Sequence, residues 1–377
     1  MRGTLAQLTA SMPGAQRIAD AGFDKVSTDS RTATAGALFV ALRGETFDAH
    51  DFLPQVAANG AAAVIAERLP EGWTLPAIVV PDTLTALGQI ANHWRRQYAI
   101  PLIGVTGSNG KTTVKEMIAA ILAAAFGEQA RLATQGNLNN EIGVPLTLMR
   151  LEASHRAAVV ELGMNHPGEI ARLAAIAQPT VAMVNNAQRE HQEFMHTVEA
   201  VALENGSVLK ALASDGVAVY PGDDTYTPLW QGLAAHCRSM TFGLDAACDV
   251  RATYVSTGFG NNLKVTVPGG DFALKLAAAG EHNVRNALAA IACALAAGIE
   301  QDVIVRGLES FAPVGGRLQQ KRAVNGALVI DDTYNANPDS MRAAIDVLAS
   351  YPAPRILVVG DMGEVGTQGR EFHEEIG

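Results

Sequence analysis

The segment Gly104-Val105-Thr106-Gly107-Ser108-Asn109-Gly110-Lys111-Thr112-Thr113 decides the fold. Upstream of its turn, Pro101-Leu102-Ile103-Gly104-Val105-Thr106 is a short apolar run of the kind that forms a buried strand. Downstream, Val114, Met117, Ile118, Ile121, Leu122 and Ala125 recur at helical spacing. Strand, glycine turn and helix start therefore follow one another in the order that builds a phosphate site. The N–H groups of the turn and the helix dipole hold phosphate oxygens. Lys111 reaches the β/γ-phosphates and the Thr112 hydroxyl suits Mg²⁺. The strict phosphate-loop pattern has a glycine where Val105 stands, but Gly107 lies in the turn and Gly110-Lys111-Thr112 is intact. The loop implies a nucleoside triphosphate and leaves the reaction open.

Working outward, AAVVEL (157–162) and TVAMVNN (180–186) read as further strands separated by helix-like sequence. Strands alternating with helices predict an α/β fold with a largely parallel sheet. Before the loop, ALFVAL (37–42), AAAVIAE (61–67) and AIVVPD (77–82) predict a smaller α/β unit with too few strands for a nucleotide site of its own. After it, the turn Ala312-Pro313-Val314-Gly315-Gly316-Arg317 marks another boundary. ALVIDD (327–332) and RILVVGD (355–361) then flank a helix-like DSMRAAIDVLAS. The expected division is 1–85, 86–313 and 314–377, the last unit partial, so that the chain reads as truncated.

A length of 377 residues fits two or three domains, and 48% hydrophobic against 18% charged residues excludes a disordered chain. A net charge of −10 argues against a nucleic-acid partner, whereas a local cluster of cations and N–H groups still serves a small anion. Cys237, Cys248 and Cys293 have no metal-type spacing and read as reduced thiols. The first residues lack the apolar core of a signal peptide, and no run of about 18 apolar residues follows. A cytoplasmic protein without membrane insertion is expected.

The variant loop Thr106-Gly107-Ser108-Asn109-Gly110-Lys111-Thr112-Thr113 resembles that of the Mur ligases and their folylpolyglutamate synthase relatives. Further segments continue the resemblance in order. They are Gln135-Gly136-Asn137-Leu138-Asn139-Asn140-Glu141-Ile142-Gly143, Glu161-Leu162-Gly163-Met164-Asn165 and Gly280-Glu281-His282-Asn283-Val284-Arg285-Asn286. Gly316-Arg317 and Asp331-Asp332-Thr333-Tyr334-Asn335-Ala336-Asn337-Pro338 complete it. The last motif is similar to the branch that adds D-alanyl-D-alanine. Thr28-Asp29-Ser30-Arg31 and Leu38 to Glu45 resemble the uridine-nucleotide domain shared by the tripeptide- and pentapeptide-making ligases.

The resemblance implies three α/β domains: an N-terminal uridine-nucleotide domain, a central P-loop ATPase domain and a C-terminal Rossmann-like domain. It also implies an ATP- and Mg²⁺-dependent ligase, a monomer, joining UDP-N-acetylmuramoyl-tripeptide to D-alanyl-D-alanine through an acyl phosphate. Carried onto this chain, Lys111, Glu161, His191 and Arg317 are catalytic, and Thr112, Glu161 and His191 hold metal. ATP falls to Gly107, Ser108, Asn109, Gly110, Lys111, Thr112, Thr113, Asn283, Asn286, Arg317 and Asp332. The other substrates fall to Ser30, Arg31, His50, Asn137, Asn139, Asn140, Tyr334, Asn335 and Asn337. A lone loop histidine is ordinarily structural or a surface residue, and the resemblance alone promotes His191; His166 and His196 read as surface or packing residues.

The chain departs from the family's pattern in two places, and one is the missing C-terminal portion, which the resemblance implies would complete the amine-substrate site. Where many members have a lysine that becomes carbamylated and supports a second Mg²⁺, Ala202-Leu203-Glu204-Asn205-Gly206-Ser207 puts Asn205. An amide cannot form a carbamate, though its oxygen could accept from a metal-bound water, so activity independent of bicarbonate is expected. Competing readings are the ligase adding the third amino acid, a folylpolyglutamate synthase and a non-catalytic nucleotide-binding relative. Tyr334-Asn335-Ala336-Asn337 argues against the first and the N-terminal segment against the second; the retained Lys111, Glu161 and His191 argue against the third.

Overall fold

The computed structural model describes residues 1–190, 192–363 and 365–377, with all their side chains except those at 192 and 367. Two compact units emerge: Met1–Ala99 with Gln135–Ala153 and Ala175–Ala177, and Ile100–Thr134 with Ser154–Ala174 and Gln178–Gly377.

The first unit is built on a five-stranded sheet in the order Gln16–Ile18, Ala77–Val79, Ala63–Ala66, Ala37–Val40, Lys25–Ser27. The last four strands run parallel and Gln16–Ile18 pairs antiparallel at the edge. The apolar runs expected as strands are its three central members, and Ala37–Val40 and Ala63–Ala66 are buried along their whole length. That is why they read as unbroken apolar runs rather than alternating ones. The helix Thr83–Arg95, capped by Asp82 on the Thr85 N–H, packs against Gly143–Leu148. Trp94 closes that packing by donating its indole N–H to the Leu151 carbonyl at 3.0 Å.

The second unit carries a nine-stranded sheet among the described residues. Its order is Gly270–Leu276, Gly260–Val267, Val250–Thr257, Arg238–Gly243, Val217–Pro221, Val181–Val184, Leu102–Thr106, Ala157–Glu161, Arg131–Ala133. From Val250–Thr257 to Arg131–Ala133 every pairing is parallel, and the first two strands add antiparallel. Leu102–Thr106 thus lies inside the sheet, and its C-terminal end opens onto the glycine turn. The helix Lys111–Phe126 buries Val114, Met117, Ile118, Ile121 and Leu122 against that sheet's core. It meets Gln301–Ser310 so closely that a Cβ on Gly307 would stand 2.5 Å from the Ile121 Cα, so only glycine fits there.

The C-terminal part of this unit departs from one expectation. Leu328–Asp331 is a strand, paired antiparallel with Gln319–Arg322, and Pro338–Ala349 is the expected helix. Arg355 to Asp361, expected as a strand, forms none; Ile356 is 82% and Val358 88% exposed. A strand exists only where another edge takes up its N–H and C=O groups, and among the described residues none does so here. An apolar run signals strand propensity but not the presence of a partner edge.

Candidate active site

The phosphate loop is stitched to the segment after Val181–Val184 by amide groups. The Asn109 N–H donates to Asn186 Oδ1 at 2.9 Å, and Asn185 Nδ2 donates to the Asn109 carbonyl at 2.7 Å. Gln188 N donates to Ser108 Oγ at 2.8 Å, and Asn109 Nδ2 to Gln188 Oε1 at 2.6 Å. Asn185 Nδ2 also reaches Asn286 Oδ1 at 2.9 Å, and Asn286 Nδ2 donates to Asn283 Oδ1 at 3.1 Å. A relay of asparagines therefore runs from the loop to the helix Glu281–Ala296. Asn185, Asn286 and Asn283 are buried, where an unmade hydrogen bond is costly, so the relay fixes the loop's shape. Asn283 and Asn286, expected to meet adenine, are both tied into it. Asn283 also borders a recess with Thr113, Phe311, Pro313 and Arg317.

Gly110 takes φ +81° and precedes the first helical residue, Lys111. The Lys111 ammonium folds back onto the Gly107 carbonyl at 2.5 Å, the Ser108 carbonyl at 3.1 Å and Glu190 Oε2 at 3.2 Å. Its three donors sit where phosphate oxygens would compete for them.

Glu161 ends the strand Ala157–Glu161, is 2% exposed, and accepts from the Thr112 hydroxyl at 3.3 Å. Arg317 Nη2 donates to the same hydroxyl at 3.0 Å while its guanidinium lies 4.2 Å from the Tyr334 ring centroid. Lys111 and Thr112 of the loop, Glu161 and Arg317, residues of three motifs distant in sequence, therefore meet around one helix start. His191 lies outside the described residues. For Mg²⁺, the hydroxyl and carboxylate oxygens of Thr112 and Glu161 fit a hard cation that keeps several waters and shares phosphate oxygens. Among the described residues no group of three or more His, Cys, Asp or Glu side chains gathers to hold a metal by itself.

The third-domain motif also reaches the loop. Asn337 caps Pro338–Ala349 through the Ser340 N–H and exchanges amide hydrogen bonds with Asn109, at 2.9 Å and 3.3 Å. Asp332 accepts the Leu318 N–H at 3.0 Å, and burial raises its pKa. Asn335 bonds only the Ala336 N–H among the hydrogen bonds found, and Tyr334 is exposed. Arg189 was not anticipated. Its guanidinium meets Asp339 at 2.6 Å and Glu375 at 2.8 Å, and its N–H donates to Asp339 at 2.9 Å. Burial works against the charge on Asp339, but the Arg189 hydrogen bonds win and lower its pKa. Replacing Arg189 by Ala is expected to loosen Pro338–Ala349 by about 1.5–3 kcal/mol, the scale of a lost charge-assisted hydrogen bond. Amide exchange across that helix checks it, and an unchanged rate would count against the clamp.

Asn205 is fully buried on the helix Val198–Lys210. Its Oδ1 accepts from the Thr106 hydroxyl at 2.6 Å, so the oxygen expected to serve a metal-bound water is engaged at the strand end. Nδ2 has no partner among the described residues. The phosphate release rate is accordingly expected to be the same in CO₂-free buffer and with added bicarbonate; a marked loss without CO₂ would contradict the reading of Asn205.

In the first unit, Arg31 is drawn onto Asp29 (2.7 Å), and that hydrogen bond lowers Asp29 to about 2. The Ser30 carbonyl accepts from Asn59 Nδ2 at 3.4 Å. His50 is buried, with Nδ1 2.6 Å from Asp48 Oδ1 and Nε2 accepting the Glu67 N–H at 2.8 Å. Both ring nitrogens are thus taken up by the protein, which suits a residue that shapes a surface. Asn140 Oδ1 accepts from the Ile142 and Gly143 N–H groups (3.2 and 2.9 Å), holding the turn into Gly143–Leu148. Asn137 is exposed, its carbonyl accepting the Asn139 N–H at 2.8 Å. His166 and His196 are exposed, as expected.

Sequence reasoning missed Glu190, Gln188 and Arg189. Their only signal was position, just after the Asn185-Asn186 pair at a strand end, where open α/β sheets gather ligands.

Comparison with known proteins agrees with this geometry. Residues 23–95 match the family described as Mur ligase family, catalytic domain; 105–294 match the Mur ligase middle domain; and 316–377 match the Mur ligase, glutamate ligase domain. The Escherichia coli K12 protein named UDP-N-acetylmuramoyl-tripeptide--D-alanyl-D-alanine ligase is 42% identical over 99% of this chain and 82% of its own length. A crystal structure of MurF from Acinetobacter baumannii superposes with a TM-score of 0.94 at 39% identity, covering 100% of this chain and 83% of that one. MurF ligase from Thermotoga maritima in complex with ADP gives a TM-score of 0.85 at 29% identity, covering 93% and 81%. No helix among the described residues is long and apolar enough to cross a membrane. With the loop, the strand-end carboxylate and the arginine in the order the resemblance requires, this chain is an ATP-dependent ligase that belongs to the Mur ligase family.

Proposed function

We propose that this chain joins D-alanyl-D-alanine to UDP-N-acetylmuramoyl-tripeptide, giving the pentapeptide precursor of peptidoglycan. The observation that carries the reading is the meeting of Lys111, Thr112, Glu161 and Arg317 at one helix start, with Asn337 of the Tyr334-Asn335-Ala336-Asn337 motif bonded to the same loop. The near full-length similarity to ligases named for that substrate pair supports it.

The chemistry follows from what a carboxylate lacks. It is a poor acylating agent, so a tripeptide carboxylate oxygen first attacks the γ-phosphorus of ATP, and ADP leaves. The amine of D-alanyl-D-alanine then attacks the carbonyl carbon of the acyl phosphate, and inorganic phosphate leaves with the C–O bond electrons. Phosphoryl transfer needs positioning and charge neutralisation more than covalent help. Lys111 turns from the loop carbonyls to the β/γ-phosphates, the loop N–H groups hold their oxygens, and Arg317 adds charge beside the Thr112 hydroxyl. Thr112 and Glu161, with His191, would hold Mg²⁺, which when bound supplies positive charge between the phosphates. The asparagine relay keeps these groups aimed, and the Phe311, Pro313 and Asn283 recess suits the adenine side. Ser30, Arg31, His50, Asn137, Asn139 and Asn140 shape the uridine-nucleotide substrate's path, and Tyr334, Asn335 and Asp332 the amine and ribose sides. The division 1–85, 86–313 and 314–377 assigns these tasks to three domains of a monomer.

The test is phosphate release from ATP and Mg²⁺ with UDP-N-acetylmuramoyl-tripeptide, with and without D-alanyl-D-alanine. Release is expected only with both. Release with glutamate or a third amino acid in place of the dipeptide would overturn the substrate assignment.

A further inference from the structure

His282 has no part in the chemistry above, yet the asparagine relay ends on it. The Asn283 side-chain amide gives one N–H to the Ala279 carbonyl at 2.8 Å and the other to His282 Nε2 at 3.1 Å. A carbonyl can only accept, so the Ala279 oxygen settles which way the Asn283 amide faces. His282 must then present a lone pair at Nε2, and its ring proton sits on Nδ1. The ring is closely held: a Cβ on Gly280 would stand 2.6 Å from its Cε1, 2.8 Å from its Nδ1 and 2.9 Å from Val347 Cγ2. Burial lowers the His282 pKa to about 4, against the pull of Glu281 on its own helix and Asp346 on Pro338–Ala349. Glu281 is itself engaged by the Tyr254 hydroxyl at 2.9 Å and Arg285 at 3.4 Å. The strand Gly260–Val267 brings up neutral Asn261, which donates to the Ala278 carbonyl at 2.8 Å. His282 is therefore uncharged at neutral pH, as an acceptor must be.

The same hydrogen bonds decide what Asn283 has left to offer. Both of its N–H groups are spent, and Oδ1 gives one lone pair to Asn286 Nδ2 at 3.1 Å. An amide oxygen has two lone pairs, so one acceptor position and no donor remain. Asn283 borders the recess formed with Thr113, Phe311, Pro313 and Arg317. A base that brings an exocyclic amino group to that oxygen satisfies it. A base with a carbonyl in the same place sets oxygen against oxygen and leaves both unpaired, the costly case in a buried site. Resting on the nucleotide reading above, we propose that His282 is a positioning residue that sets base specificity: by taking up the second Asn283 N–H it leaves the recess an acceptor alone, which selects the amino-bearing base of ATP over the carbonyl-bearing base of GTP.

The experiment measures ATP and GTP affinities calorimetrically, with Mg²⁺, for the full chain, His282→Phe and His282→Gln. The unsubstituted chain is expected to favour ATP. His282→Phe keeps a ring but has no acceptor, which frees the second Asn283 N–H to turn toward the base. It is expected to lower the ATP-over-GTP ratio about tenfold, the scale of one buried polar group left unpaired. His282→Gln, whose Oε1 accepts, is expected to restore the ratio. A ring that only packs would weaken both nucleotides alike, so an unchanged ratio in His282→Phe overturns the proposal. Should that variant fail to fold, the unsubstituted chain still decides. In protein labelled with nitrogen-15 histidine, the ring signals missing from His282→Gln must show a protonated Nδ1 and a bare Nε2 at neutral pH, and a protonated Nε2 overturns the proposal. An unsubstituted chain that binds ATP and GTP equally overturns the base selection alone; one that binds neither overturns the nucleotide site and the selection with it.

Discussion

Lys111→Ala is expected to lower the rate of phosphate release by about a thousandfold, the scale seen when one preorganised donor to a developing anion is removed. The ammonium sits at the first residue of the helix Lys111–Phe126, behind a loop whose shape is fixed by Asn185 and Asn186. Water cannot substitute for it, because a rotating solvent dipole must reorganise while a held ammonium does not. Lys111→Arg is expected to rescue little: a planar guanidinium does not fill the space of a compact ammonium that meets the Gly107 and Ser108 carbonyls at 2.5 and 3.1 Å. The check is a single-turnover rate with both substrates present, together with a melting curve. Substitution also leaves Glu190 without its ion pair to Lys111, so some loss of stability belongs to the result. A rate within tenfold of the unsubstituted chain, which is about 1.4 kcal/mol of barrier, would remove Lys111 from the catalytic set.

Gly110→Ala is expected to abolish tight nucleotide binding without touching any charged group. Two costs combine. The residue holds φ +81°, a conformation that an L side chain adopts at a cost of about 1–2 kcal/mol. The added Cβ would also stand 2.4 Å from Asn286 Oδ1 and 2.6 Å from Asn185 Nδ2. Those atoms are not free to retreat, since Asn185 Nδ2 also bonds the Asn109 carbonyl and Asn286 pairs with Asn283. Relief must come from breaking the relay or displacing the loop, an overpacking cost of about 1–3 kcal/mol beyond the backbone term. Gly298→Ala separates the two contributions, because Gly298 has φ +80° but no atom within 4 Å of its would-be Cβ. Gly298→Ala should lose only the backbone term and bind ATP normally. If the two variants melt together and bind ATP alike, the steric account of the loop is wrong.

The strand, turn and helix around Lys111 were legible in the sequence because each rests on local physics. Apolar runs make buried strands, glycines admit the turn, and the spacing of Val114, Met117, Ile118 and Ile121 makes a helix face. The same locality made the three central strands of the first unit's sheet readable, and in the second unit Val181–Val184, Leu102–Thr106 and Ala157–Glu161. It failed at Arg355 to Asp361, where strand propensity found no partner edge, and in the run from Val217–Pro221 to Gly270–Leu276, whose five strands went unread. In Gly260–Val267 burial alternates because one face is exposed, and the polar residues on that face hide the strand; Val217–Pro221 is buried throughout and is no such case.

Which residues carry chemistry was legible only through family motifs, and how they cooperate was decided by tertiary structure. Glu190 meets Lys111 across 79 positions of sequence, and Asn109 meets Asn337 across 228. Arg317 reaches Thr112 across 205. No spacing rule predicts such pairs, because parallel strands place chain segments side by side in an order set by the whole sheet. Asn205 makes the same point in one side chain. The sequence alone determined that it cannot be carbamylated, since that follows from an amide's chemistry. Only the fold decided that its oxygen belongs to Thr106, since that depends on which strand end the helix Val198–Lys210 lies against.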